Sequence, residues 1–194
     1  MYDILRHRAE IRRAINNRRY EMTPGGGILV PSMGAHIGGV FETWINGHDH
    51  QVDPNIIPTA SLNHILDVVC HGTAQVTTWY VTPFEGDVTP GASYTAANFT
   101  SNTTEFTDYD ESTRVAWVEA AASAGVTTNS ASKADFTIAS GVADKDLYGC
   151  ALLSASAKSA TTGTMLACAL FSSARRVNAT DVLSVAYSLT LTSS

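Results

Sequence analysis

What the chain lacks narrows its class first. No run of about 18 apolar residues occurs, so no membrane-spanning helix is expected. The arginines near the N-terminus are not followed by an apolar h-region, so the protein is expected to be made and used in a cytoplasm. Charged residues are only 15% of the chain, while Ala, Ser, Thr, Gly and Val dominate, a bias towards strands and tight turns over long solvated helices. Cysteine is limited to Cys70, Cys150 and Cys168, an odd number without zinc-knuckle spacing. Reduced, buried thiols are expected, and 194 residues can bury a core without disulfides. No G-x-S-x-G elbow, P-loop, dinucleotide fingerprint or H-E-x-x-H is present, and Gly25-Gly26-Gly27 lacks the Lys-Ser/Thr of a phosphate cradle. Neither an enzyme nor a cofactor is expected.

What is present is unevenly distributed. Residues 1–20 hold Arg6, Arg8, Arg12, Arg13, Arg18 and Arg19 against Asp3 and Glu10, a formal +4; because the whole chain carries −6, residues 21–194 carry −10. A basic segment attached to an acidic body implies two different partners. Tyr2 to about Arg19 has no Gly or Pro, and Ile4, Leu5, Ile11, Ala14 and Ile15 make an incomplete apolar stripe, which predicts a helix that orders against something larger. Arg8, Arg12 and Arg19 share roughly one face of it, near Ile4, Ile11 and Ile15. Nucleic-acid binding by this segment is not expected, since aromatic interleaving is absent and the acidic body would repel a polyanion. Between Met22 and Phe41 glycines and prolines interrupt Ile28, Leu29 and Val30, which reads as an irregular, extended docking arm.

Further on, Leu62, Ile65, Leu66 and Val69 at i, i+3, i+4 and i+7, with Pro58-Thr59 before and Gly72 after, predict one short helix packed by that stripe on the body. Strands are predicted at 75–82, 113–120, 133–139, 147–155, 165–171 and 182–191; the last alternates Leu183, Val185, Tyr187, Leu189 and Leu191 with small polar residues. Turn-formers and no long helices separate them, so the expected fold is mainly β: an antiparallel β-sandwich of jelly-roll or immunoglobulin-like type over residues 58–194, preceded by the basic helix and arm over 1–57. Residues 85–112 read as a polar excursion or an extra edge strand around Ala96 to Thr100.

Three constellations could carry chemistry. His48-Asp49-His50 has imidazoles that would share a strand face, but Gly47 and Pro54 place it in a loop without a third spaced ligand. His64, Asp67 and His71 read as a polar helix face, and Asp108, Asp110 and Glu111 as a solvated acidic turn, because the ordered loop of a calcium hand is missing. No metal is expected. Trp79 and Trp117 lie in apolar strands and are expected to pack in the core; Trp44 lies beside the arm.

From about Pro58 to the C-terminus a series of phrases carries a resemblance. They are Leu62-Asn63-His64-Ile65-Leu66-Asp67-Val68, Thr78-Trp79-Tyr80-Val81, Phe84-Glu85-Gly86 with Thr89-Pro90, and Tyr109-Asp110-Glu111 with Thr113-Arg114. Tyr148-Gly149, Leu153-Ser154-Ala155, Lys158-Ser159-Ala160-Thr161-Thr162-Gly163-Thr164 and Phe171-Ser172-Ser173-Ala174-Arg175 complete it. Together they resemble small structural proteins of tailed-phage virions, most like capsid cement or decoration proteins. That resemblance implies a homodimer or homotrimer on the capsid exterior, binding the major capsid protein, with neither membrane nor nucleic acid as partner. The capsid-binding residues expected are Ile4, Arg6, Arg8, Ile11, Arg12, Arg13, Ile15, Arg18, Arg19, Ile28, Leu29 and Val30. A head–tail adaptor, head fibre or tail-fibre base is the alternative; a carbohydrate-binding or hydrolytic virion protein ranks below both.

Overall fold

The computed structural model describes Glu21–Met22, Ile28–Leu29 and residues 35–193. The first two segments, β1 and β2, pair antiparallel with Glu21 opposite Leu29 and Met22 opposite Ile28. Regular structure thus occurs inside the glycine-rich stretch where none was expected. Ile37–Leu191 forms one compact unit.

Two antiparallel sheets build that unit. One runs in the order β10 (Met165–Val177), β9 (Lys145–Leu153), β5 (Trp79–Phe84), β6 (Val115–Trp117). The other runs β4 (His48–Pro54), β3 (Ala35–Ile45), β11 (Val182–Ser193), β7 (Val126–Thr128), and β8 (Ala134–Thr137) pairs the earlier stretch of β11. Phe41, Val81, Trp117, Phe136, Leu152, Leu183 and Tyr187, drawn from both sheets, fill one buried cluster between them. The expected β-sandwich is therefore present.

Residues 35–54 depart from the arm expected over 1–57, because β3 and β4 form a hairpin of the second sheet. Its turn is Asn46-Gly47, with φ of 52° and 75°, the pair of left-handed residues that a tight hairpin needs. Gly39, which looked like a breaker, is a close-approach position: a Cβ there would come within 2.6 Å of the Tyr187 hydroxyl.

From Gly149 to Leu153 β9 has no polar face, and both of its faces are covered. Cys150 and Leu152 point into the sandwich core, whereas Ala151 and Leu153 join a second cluster with Phe84, Met165 and Cys168. That second face is roofed by a helix, α2 (Ala96–Thr103), where a loop or edge strand was expected. Thr95 N–H donates to Asn98 Oδ1 at 2.8 Å across the first turn, and Ala96, Phe99 and Thr103 at i, i+3 and i+7 turn to the sheet. Phe99 meets Phe84 edge-on at 5.9 Å; burying such a ring contributes about 1.5–3 kcal/mol, enough to hold an eight-residue helix that would not form alone.

The other helix, α1 (Thr59–Cys70), corrects a second expectation. Its stripe does not pack on the body: Ile65 contacts the core, while Leu62, Leu66 and Val69 are exposed. The helix seats instead through buried Ser61, whose hydroxyl donates to the Met165 carbonyl at 2.5 Å. A small polar residue brings the backbone close to β10, and the larger apolar side chains are left outward. Of the thiols expected to be buried, Cys150 and Cys168 are and Cys70 is not; burial pushes both inner thiols upward in pKa.

Sheet edges are closed or short. Ile56 bonds both ways to Cys168 on β10, at 2.9 and 3.1 Å, and Asp53 accepts from Ser172 N–H at 2.6 Å. β6 and β7 are three residues each, and β4 ends in Pro54.

The connection from β9 to β10 is pinned from beneath. Arg114 is buried and gives Nε and Nη2 to the two Glu105 oxygens at 2.9 and 2.6 Å, with Nη1 to the Ala155 carbonyl and Nη2 to the Ala160 carbonyl, each at 3.0 Å. Arg114→Met would leave the Glu105 carboxylate buried and unpaired and is expected to cost about 3–5 kcal/mol in urea denaturation. Pairing it with Glu105→Leu should return much of that loss; a double variant no more stable than the single one would contradict this account.

Candidate functional site

Of the residues expected to bind a capsid, Ile4, Arg6, Arg8, Ile11, Arg12, Arg13, Ile15, Arg18, Arg19 and Val30 lie outside the described residues, and Ile28 and Leu29 form β2.

The three polar constellations resolve differently. His48-Asp49-His50 begins β4 and is not a loop. Asp49 adopts φ 52°, and the register slips between Thr43 and Ile45, so the alternation that would align the two imidazoles is interrupted. His50 stacks on Trp44 with centroids 4.6 Å apart and contacts Glu42 at 2.8 Å; Lys133 lies 4.5 Å over the Trp44 ring. Trp44 is thereby occupied by its own neighbours, and its indole is not free to stack on a sugar. Asp67 on α1 and His71 just past its end are exposed, and His64 meets Trp79 edge-on at 6.1 Å.

The acidic turn is organised by a lysine. Lys158 Nζ donates to the Thr107 and Tyr109 carbonyls at 2.9 and 2.7 Å and lies 3.6 Å over the Tyr109 ring. Burial lowers the Lys158 pKa, and the carboxylates of Glu111, Asp108, Glu105 and Asp110 pull it back up. Glu111 accepts from Thr137 N–H at 3.1 and 3.2 Å, a strand-capping role. Among the described residues, no group of three or more His, Cys, Asp or Glu is placed to hold a metal ion.

The feature that remains is apolar. A trench of about 440 Å³ lies between α1 and the sandwich, walled by Ile65 and Val68 of the helix, by Val76 and by Leu189, with Trp79 and Trp117 at its base. Those indoles are directly opposite one another on β5 and β6. Trp117 is 4% exposed and donates Nε1–H to the Tyr187 carbonyl at 3.1 Å, as expected of a core residue, whereas Trp79 is partly open to the trench. Beside it, Leu62, Leu66 and Val69 are 37, 60 and 76% exposed. The sequence reading missed this ridge because the periodicity of an exposed stripe is identical to that of a buried one.

The described residues thus form a two-sheet antiparallel sandwich with an apolar trench on one side of it. The family model described as "Podophage GP4 fiber I protein gp80" matches residues 57–192, from just after the Ile56 bridge through nearly all of β11. The chain belongs to this family and is a structural protein of a bacteriophage virion. No curated protein matches the chain. Among the described residues, no helix is long and apolar enough to cross a membrane.

Zn²⁺ or Ca²⁺ is expected to leave the melting temperature unchanged in scanning calorimetry, and His50→Ala to alter stability by less than about 1 kcal/mol, as for an exposed pair. A zinc-dependent rise in melting temperature that His50→Ala abolishes would reinstate the metal reading.

Proposed function

We propose that this protein is a subunit of a fibre on the phage particle, with a mechanical rather than catalytic role. The observation that carries this reading is the family match, which spans α1, α2 and the sandwich strands from β5 to β11 and whose description names a fibre. It favours the fibre alternative over the decoration role that the sequence put first. In this reading the sandwich of residues 37–191 supplies the folded body of the fibre, and the basic N-terminal segment attaches it to the particle through Arg8, Arg12 and Arg19 with Ile4, Ile11 and Ile15 beside them. The charge contrast supports that division, since a +4 segment on a −10 body gives the two ends different preferred surfaces.

Counting copies per purified particle, by quantitative mass spectrometry against the major capsid protein, separates the roles. A fibre predicts on the order of tens of copies, set by closed symmetry at one or a few sites, whereas decoration predicts a ratio near one to one or a simple fraction of it. The second result would return the protein to the capsid surface. Changing Arg8, Arg12 and Arg19 together to Glu is expected to abolish incorporation into particles while the purified variant melts at the wild-type temperature. Normal occupancy by that variant would remove the segment from the docking role.

A further inference from the structure

Helix α1 presents apolar side chains on two sides, and the sandwich accounts for one of them. Ile65 reaches the core, but Leu62, Leu66 and Val69 form an exposed ridge along its outer side. Val69 also borders the trench, so ridge and trench are parts of one surface. A convex apolar ridge beside a concave apolar trench is self-complementary: the ridge of one copy can enter the trench of another and, by a two-fold, the reverse holds as well. We propose that this face is an interface between copies of this chain, with Leu66 and Val69 of one copy seated against Val76 and Trp79 of the next.

Shape and charge both favour a second copy as the occupant. The ridge and the open trench walls expose apolar surface on the order of 400 Å², as large as the main patch of a typical monomer and about half of what a standard interface removes per partner. Within a body of net −10, the trench is lined by a single carboxylate, Glu119, and by no Lys or Arg. That is the charge depletion found at interface cores, and it removes the repulsion that two acidic bodies would otherwise meet. The association needs no other virion component, so it can be measured apart from the fibre assignment.

The test is the mass of the purified full-length chain, by sedimentation velocity over a micromolar concentration series. The wild type is expected to form a discrete oligomer, and Leu66→Glu with Val69→Glu to convert it to monomer with unchanged far-UV circular dichroism. Both side chains are exposed in the single copy; should the glutamates perturb the helix, Leu66→Gln with Val69→Thr is the milder pair and is expected to dissociate the oligomer too. Val52→Glu, equally an exposed apolar position but on β4, is expected to keep it. A monomeric wild type overturns the proposal, as does an oligomer that survives folded ridge variants, or one that Val52→Glu also dissociates. None of these outcomes alters the copy number per particle, so failure here leaves the fibre reading to its own test.

Discussion

The guanidinium of Arg114, held away from water between the Glu105 carboxylate and two backbone carbonyls, is the constraint on which the rest of the sandwich rests. A buried ion pair gains stability only when its remaining donors and acceptors are satisfied, and here the satisfying groups belong to the connection between the two longest-paired strands. Glu105 also receives Ser159 N–H at 3.1 Å, and Arg114 N–H bonds the Ser156 carbonyl at 2.8 Å. Lys158 extends the same node to Tyr109, whose phenol is pushed upward in pKa by burial and then by the nearby Glu105 charge. Fixing this connection fixes where β9 meets β10, and so which side chains of each face the sandwich core and which face α2.

That node gives physical content to several of the phrases that carried the resemblance to virion proteins. Tyr109-Asp110-Glu111 with Thr113-Arg114, and Lys158-Ser159-Ala160 far from them in sequence, meet in one place. Their hydrogen bonds hold the β9–β10 connection in place, an architectural role.

Legibility followed the length scale of the interaction. All six predicted strands overlap observed ones, because alternation and continuous apolar runs are local signals: β11 buries Leu183, Val185 and Tyr187 as its pattern indicates. Leu189 and Leu191 share that pattern and yet become progressively more exposed, Leu189 at the trench and Leu191 beyond it. The β3–β4 hairpin was readable from Asn46-Gly47, but glycines at 38 and 39 masked the strand before it; the purpose of Gly39, clearance over Tyr187, depends on a residue almost 150 positions away. α2 was missed for its polar composition, although Thr95-x-x-Asn98 is a usable cap signal. The trench was not legible at all, because it depends on which side of α1 faces the sheet, the side on which Ser61 bonds the Met165 carbonyl and Ile65 meets the core.

The closed edges have a consequence for how such a subunit tolerates crowding. A protein produced in many copies and stored at high local concentration is at risk of templated strand addition, in which one chain's unpaired backbone recruits another's. With Ile56 lying along β10, three-residue strands at β6 and β7, and a bulge and Pro54 on β4, little backbone is open for such recruitment among the described residues. Copies that met would therefore have to recognise each other by side chains, and side-chain recognition has a defined stoichiometry where backbone pairing has none. The difference is that between a subunit that assembles and stops and one that polymerises without limit.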